Sequence, residues 1–253
     1  RQLGRPFIDV VLHPLRFLPD LVFALRTNMP GYHRFFQERR LPEAIVAQQA
    51  ALIEAKAAWM KRPIAHLPPG SVLLLGQVAG DRAMVKPDGS FASLEEHLER
   101  LHALCCDHPC VLFKPHPYET EGTGARRAVG RLPAIIHTDA NFYHLLAQPE
   151  IEGVVALNSS GLVEAKAFGR WSENLMAPLY AFDHGQPPTP VAPGTPVAQA
   201  PDWIEPGFWH ALLSGQNAPA SAHDSVQPVW TPNRLRRSMN ADWGYGFIEK
   251  VLA

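Results

Sequence analysis

The chain has 253 residues, of which 46% are hydrophobic and 19% are charged, and its formal net charge is −1. These values are typical of a globular protein with a real core. They exclude the strongly basic surface that nucleic-acid binding requires. No apolar run approaches the roughly 20 residues that cross a bilayer. The three cysteines, at 105, 106 and 110, lie too close together for a disulfide framework and are interpreted as small core residues.

Residues 1–68 are predicted to form a helical N-terminal segment. Prolines divide residues 5–40 into pieces that leave room only for short helices. These apolar pieces either pack against a neighbouring domain or lie on a membrane surface with Arg16 and Arg26 at the edge. Helical spacing of apolar residues predicts a longer helix over 42–62.

Residues 69–185 repeat a pattern of strand, loop and helix. Short apolar runs bounded by Gly, Pro or polar residues are typical of strands that are buried on both faces. Strands are predicted at 72–75, 110–114, 134–136 and 151–157, and helices at 93–106, 140–147 and 162–168. This alternation predicts an α/β fold with a Rossmann-like parallel sheet.

The remaining residues are predicted to add little to that sheet. Residues 186–206 contain seven prolines and are interpreted as a Pro-rich loop. Residues 207–253 are predicted to be a C-terminal helical segment, with helices near Trp209–Leu213 and Trp243–Leu252.

Polar side chains follow three of the predicted strands, each at the point where the strand ends. Because the carboxyl ends of parallel strands meet at one edge of a sheet, we expect these loops to converge on a ligand. The residues are Gln77 and Asp81 after the first strand, Lys114, His116 and Pro117 after the second, and Asn158, Ser159, Ser160 and Glu164 after the last.

Each of these groups has a chemical and a structural interpretation. Ser159 and Ser160 begin a helix, where they either bind an anion or simply cap the helix. His116 either donates to a phosphate or transfers a proton, or else it is an ordinary turn residue. Lys114 compensates phosphate charge or is a solvated strand end. Glu164 accepts the hydroxyls of a ribose or interacts favourably with the helix N-terminus.

Metal binding is not predicted. His137, Asp139 and His144 lie near one another in the sequence, but their spacing matches no strong metal-binding motif. We therefore expect neither a metal nor another cofactor.

Taken in order, these motifs resemble those of the bacterial retaining β-Kdo glycosyltransferases of capsule and lipopolysaccharide O-antigen synthesis. The resemblance covers about residues 71–181, less than half of the chain. The matching residues are Gly76-Gln77-x-x-x-Asp81, Lys114-Pro115-His116-Pro117, Asn158-Ser159-Ser160-x-x-x-Glu164-Ala165 with Gly169, and Pro178-x-Tyr180-Ala181.

The resemblance implies a GT-B-like architecture in which residues 69–185 form the C-terminal nucleotide-binding domain. It implies CMP-Kdo as the donor and a glycan or glycolipid as the acceptor, with Asp81 as the nucleophile of the Gln77-x-x-x-Asp81 motif. His116 would contact the CMP phosphate. The Asn158–Ser160 segment and Glu164 would hold the nucleotide. The resemblance also implies a cytoplasmic location, either peripheral at the inner membrane or within a polysaccharide assembly complex.

The family's acid/base carboxylate has no identified equivalent here. In that family the carboxylate belongs to an acidic segment upstream of the nucleophile motif. The same distance before Asp81 would lie before the first residue of this chain, and Glu38 is the nearest guess. Since the sequence begins at Arg1 rather than Met, we expect a piece of a longer protein. Two other interpretations stay open: another GT-B-like nucleotide-sugar transferase or 2-epimerase, and a non-catalytic scaffold domain.

Overall fold

The structure is a computed structural model, and it describes residues 5–60, 66–78, 80–119, 124–178, 182, 194–215 and 231–239. The chain divides into two compact units. The first unit comprises residues 1–46 and 180–245, and the second comprises residues 47–179 and 246–253. The N- and C-terminal segments, which the sequence analysis treats separately, therefore contribute to the same unit.

The described residues form strands and helices in the following order. The strands are β1 (Ile8–Leu12), β2 (Phe23–Thr27), β3 (Ser71–Leu75), β4 (Val111–Lys114), β5 (Ile135–His137), β6 (Ile151–Ala156), β7 (Trp171–Asn174) and β8 (Val197–Ala198). The helices are α1 (Pro30–Glu38), α2 (Glu43–Met60), α3 (Leu98–Asp107), α4 (Gly124–Val129), α5 (Phe142–Leu146), α6 (Ser160–Ala167), α7 (Pro206–Ser214) and α8 (Arg234–Ser238). Three short 3-10 turns, at 82–84, 94–97 and 201–204, complete the set.

The second unit is built on a five-stranded sheet in the order β5-β4-β3-β6-β7. All four pairings are parallel. The chain starts in the middle of the sheet at β3, moves outward through β4 to β5, and then returns to the other side of β3 with β6. The predicted α/β fold with a Rossmann-like parallel sheet is confirmed at this level.

The central strands form because their side chains are apolar on both faces. Every residue of β3 is buried, and Val72 and Leu74 pack in one cluster with Leu101 and Phe113. The edge strand β7 was missed by the sequence analysis. Its Trp171 pairs with Gly153, where an added Cβ would come within 2.0 Å of the indole, so the glycine makes room for the ring.

In the first unit, the prediction of short helices over residues 5–40 is wrong for much of the segment. Strands β1 and β2 pair antiparallel there, from Ile8 opposite Thr27 to Leu12 opposite Phe23. The prolines lie outside these strands, at positions 6, 14, 19 and 30, so they delimit strands as readily as they delimit helices. Only α1, with Pro30 in its first turn, is helical as predicted.

The end of the Pro-rich stretch is also packed, which corrects its interpretation as a loop. Strand β8 is buried and pairs antiparallel with β2. The C-terminal segment contains α7, which matches the helix predicted near Trp209–Leu213, and α8, which was not predicted. The helix expected at Trp243–Leu252 lies outside the described residues. Phe36 and Phe208 stack in the core of this unit, with ring centroids 6.3 Å apart.

Two buried charged groups join α8 to the loop between β1 and β2. The Asp20 carboxylate accepts the backbone N–H groups of Leu235 at 2.7 Å and Arg236 at 3.2 Å. Arg236 is 4% exposed, and its guanidinium donates to four acceptors. They are the carbonyls of Arg16, Leu18 and Pro19 and the side chain of Asn233.

None of the described helices is both long and apolar enough to span a bilayer. The cysteines are unpaired, and Cys106 is exposed, so its interpretation as a core residue is wrong. Burial raises the pKa of the Cys110 thiol, which fits the packing role expected for that residue.

Candidate functional site

The candidate site lies at the carboxyl ends of β3, β4 and β6. Strand β3 has β4 on one side and β6 on the other, so the chain leaves β3 and β6 in opposite directions. In α/β sheets the crevice at such a reversal is where ligands bind. The loops that follow these three strands carry the polar residues singled out in the sequence.

Gln77 joins the loops that follow β3 and β6. Its side-chain Nε2 donates to the carbonyl of Asn158 at 2.7 Å, and its Oε1 accepts the N–H of Asn158 at 2.7 Å. The Asn158 side chain in turn donates to the carbonyl of Ala83 at 2.9 Å. These three hydrogen bonds, which we call the loop clamp, make Gln77 and Asn158 structural parts of the crevice.

Asp81 is exposed and begins the 3-10 turn at 82–84. Its Oδ1 accepts the backbone N–H of Ala83 at 2.9 Å, which fixes the carboxylate at the start of the turn. Its negative charge opposes the lowering of the His116 pKa that burial causes. The role predicted for Asp81 as the nucleophile stays a prediction.

The His116 ring is half-buried, and its tautomer follows from its hydrogen bond. Its Nδ1 accepts the backbone N–H of Tyr118 at 3.2 Å. Burial lowers the pKa of the imidazole, the charges of Asp81 and Glu119 oppose this shift, and the charge of Lys114 adds to it. In a neutral ring whose Nδ1 accepts, the proton lies on Nε2, which can then donate to a ligand.

Glu119 lies in the same loop and was not singled out in the sequence. Its Oε2 accepts the backbone N–H of His116 at 3.3 Å, and its own N–H donates to the carbonyl of His116 at 2.8 Å. The same Oε2 lies 2.7 Å from where a Cβ on Gly76 would stand. The carboxylate therefore lies against the end of β3, where only a glycine leaves room for it.

Lys114 and Pro117 flank the histidine in the sequence. Burial lowers the pKa of the Lys114 ammonium, and the charge of Asp139 opposes this shift. The Lys114 carbonyl accepts the N–H of Gly76 at 2.8 Å, which extends the pairing of β3 and β4 by one residue. Pro117 is exposed.

The third loop leads directly into α6. Ser159 is the N-cap, and its Oγ accepts the N–H of Gly161 at 3.2 Å, which leaves its hydroxyl proton able to donate. Ser160 is exposed in the first turn. An added Cβ on Gly161 would come within 2.7 Å of Leu75 and 2.9 Å of Phe142, so the glycine allows the helix to begin close to β3.

Glu164 lies deeper than its predicted role suggests. It is 3% exposed, and its Oε1 accepts the hydroxyl of Tyr143 at 2.9 Å. Tyr143 belongs to α5, so this hydrogen bond links α5 to α6. The prediction that Glu164 binds the hydroxyls of a ribose stays a prediction.

His137, Asp139 and His144 do not form a metal centre. Among the described residues no group of three or more His, Cys, Asp or Glu side chains is arranged to hold a metal ion. The His137 ring instead packs edge-on against Phe113, with centroids 5.4 Å apart.

No family model matches the chain, and no curated protein matches it. One solved structure that it resembles is Thermosulfurimonas dismutans KpsC, beta Kdo 2,7 transferase, at 15% identity and a TM-score of 0.39. That match covers 65% of this chain and 56% of the other, so the chain spans just over half of the length of that protein.

Proposed function

We propose that this chain carries the nucleotide-binding half of a glycosyltransferase that moves Kdo from CMP-Kdo to a glycan or glycolipid, with retention of configuration. The observation that carries the proposal is the crevice at the ends of β3 and β6, where the loop clamp joins the loops that carry Asp81 and Ser159. The motif resemblance supplies the donor and the location, at the cytoplasmic side of the inner membrane in surface polysaccharide synthesis.

Retention is reached by two successive displacements, as in retaining glycosidases. Asp81 attacks the anomeric carbon and CMP leaves; an acceptor hydroxyl then displaces the carboxylate. Support for the first step comes from exposure, since Asp81 is open to solvent while its turn is fixed by the hydrogen bond to Ala83. No metal is needed in this scheme.

In this proposal the leaving phosphate is bound by groups that can donate hydrogen bonds. His116 offers Nε2–H, and Ser159 and Ser160 lie in the N-terminal turn of α6, whose dipole favours an anion. Lys114 adds a positive charge. In this proposal Gln77 and Asn158 act on the loops rather than on the donor, because the Gln77 side chain bonds the backbone of Asn158 and the Asn158 side chain bonds the carbonyl of Ala83.

The proposal is tested by measuring the melting temperature of the protein with CMP, UDP and GDP, and then CMP release from CMP-Kdo. We expect CMP to stabilise the wild-type protein and Asp81→Asn alike, and we expect Asp81→Asn to lose CMP release by about 10⁴-fold. Stabilisation by UDP instead would favour another nucleotide-sugar transferase or a 2-epimerase. No response to any nucleotide would favour a scaffold domain.

A further inference from the structure

The hydrogen bonds of the loop clamp continue to the proposed nucleophile. The Asn158 side chain donates from Nδ2 to the carbonyl of Ala83 at 2.9 Å, and the backbone N–H of Ala83 donates to Oδ1 of Asp81 at 2.9 Å. Both hydrogen bonds involve Ala83, so they connect Asn158 to the Asp81 carboxylate without a break. Asn158 also directly precedes Ser159, the N-cap of α6. One side chain therefore links the turn that carries Asp81 to the start of the helix at which the leaving phosphate is proposed to bind.

The position of the Asp81 carboxylate depends on the backbone of the 3-10 turn at 82–84. Asp81 is exposed, so packing of its own side chain does not hold it in place. The end of the turn is fixed by Met84, which is 3% exposed and packs in the cluster that contains Val72 and Phe113. The hydrogen bond from Asn158 fixes the turn one residue earlier, at the carbonyl of Ala83. This is the residue whose N–H holds the carboxylate.

The two carboxylate oxygens of Asp81 differ in their surroundings. Oδ1 accepts the N–H of Ala83, whereas no residue in the part of the chain that the structure describes donates to Oδ2. Oδ2 is therefore the oxygen whose lone pairs are available for the anomeric carbon. As Oδ2 forms that bond, the bond from the anomeric carbon to the phosphate oxygen breaks and its electron pair leaves with CMP. Oδ1 becomes the carbonyl oxygen of the ester and can keep its hydrogen bond to Ala83.

We propose that Asn158 is a positioning residue for Asp81 and acts through the backbone of Ala83, an inference that rests on the proposed function. Its side chain helps to fix the distance between Oδ2 and the anomeric carbon of a donor whose phosphate is held at the start of α6. The backbone of Asn158 is held separately, because Gln77 bonds to both its carbonyl and its N–H at 2.7 Å. Loss of the Asn158 side chain should therefore shift the turn that carries Asp81 without displacing α6.

The test measures two quantities for Asn158→Ala and Asn158→Asp. They are the dissociation constant of CMP, from titration calorimetry, and the rate of CMP release in the first turnover at saturating CMP-Kdo. Both variants lack the N–H groups that reach Ala83, and aspartate keeps the size of asparagine. We expect the dissociation constant to stay within about threefold of wild type while the rate falls by about 10–100-fold, because reacting groups that are misplaced by a fraction of an ångström react more slowly. A residue that only stabilises the fold would not separate the two quantities.

Asn28→Ala is the matched control. Asn28 donates to the carbonyl of Arg5 at 2.9 Å and accepts the N–H of Phe7 at 3.1 Å, so this change also removes side-chain hydrogen bonds to the backbone, but in the first unit. The melting temperature of Asn28→Ala should fall by about 2–4 °C. Its rate of CMP release and its dissociation constant for CMP should both stay at the wild-type values. The control thus distinguishes a displaced Asp81 from a general loss of stability.

Four results would overturn the inference. Rates within about threefold of wild type in both Asn158 variants would show that the turn holds Asp81 without this side chain, and would leave the proposed function intact. A normal rate in Asn158→Asp beside a slow Asn158→Ala would make the shape of the side chain, and not its N–H groups, the requirement. A CMP dissociation constant that rises as much as the rate falls would make Asn158 a nucleotide-binding residue. Absence of CMP release by the wild-type protein would remove the proposed function and this inference together.

Discussion

The two units use their polar side chains in different ways. In the first unit, Asp20 and Arg236 are almost completely buried and bond to the backbone of distant segments. In the second unit, Asp81, His116 and Glu119 are exposed or half-buried at the ends of strands. Buried polar groups with satisfied hydrogen bonds stabilise a fold, whereas polar groups at a solvent-accessible crevice are available to a ligand. The loop clamp lies between these extremes, since it is structural but located at the crevice.

The largest effect on stability is expected from Arg236→Met. This change removes the guanidinium and leaves buried carbonyls without a donor, so the free energy of unfolding should fall by about 3 kcal/mol. Denaturant titration measures it. Arg234→Met is the control: Arg234 forms an exposed ion pair with Glu205 at 3.0 Å, and its loss should change stability by no more than about 0.5 kcal/mol. Equal effects of the two changes would contradict a structural role for Arg236.

A smaller effect is expected from Gln77→Leu. The change removes both hydrogen bonds to the backbone of Asn158 and should lower the free energy of unfolding by about 2 kcal/mol. Gln77→Glu can still accept the N–H of Asn158 and should lose less. If Gln77→Leu lost all transfer activity while its stability stayed unchanged, Gln77 would act in the reaction itself and not in holding the two loops together.

Gly161→Ala tests how closely α6 must approach β3. The new methyl group would meet Leu75 and Phe142, and such overpacking should cost about 1–2 kcal/mol and weaken CMP binding by displacing the first turn of α6. Gly31→Ala, in α1, meets nothing within 4 Å and should stabilise the protein by about 0.5 kcal/mol. Unfolding and CMP titrations of both variants separate the two effects. Unchanged CMP affinity in Gly161→Ala would remove α6 from the proposed site.

The smallest effect concerns pH. Burial lowers the pKa of His116 in the folded protein, so the unfolded chain binds more protons below the ordinary histidine pKa of about 6.5. The free energy of unfolding should therefore fall as the pH drops below about 6.5 and level off below the folded pKa. In His116→Asn this part of the pH dependence disappears, and its size is less than about 1 kcal/mol because the ring is partly solvated. An unchanged pH dependence would contradict the burial of the imidazole.

Four of the five strands of the parallel sheet were predicted from the sequence, for a physical reason. Strands buried on both faces are continuous apolar runs, and β3, β4 and β6 were therefore found within one or two residues of their observed ends. Strand β7 was missed because Trp171-Ser-Glu-Asn is an edge strand with mixed polarity. Strands β1 and β2 were missed because the prolines at 6, 14, 19 and 30 were interpreted as limits of short helices. Strand β8 was missed because it lies about 170 residues beyond β2, and local patterns cannot indicate such a pairing.

The site was partly predictable. The convergence of three loops follows from parallel strands, and the structure bears out that geometry for the loops after β3 and β6. Glu119 was missed because a single glutamate in a polar loop carries no signal. Its position depends on the turn back to His116 and on the space beside Gly76. The roles assigned to Asp81, Lys114, Pro117, Ser160 and Glu164 remain predictions.

The central position of β3 has a consequence for synthesis on the ribosome. Ser71 pairs with Ile151, so this strand emerges about 80 residues before its partner on one side. At the usual elongation rate of about 5–20 residues per second, one edge of a largely apolar strand waits for roughly 4–16 s with its backbone groups unpaired. Such an edge is a template for pairing with another nascent chain. Slow translation of residues 76–150 should therefore raise the fraction of insoluble protein more than the same delay placed after Ala156.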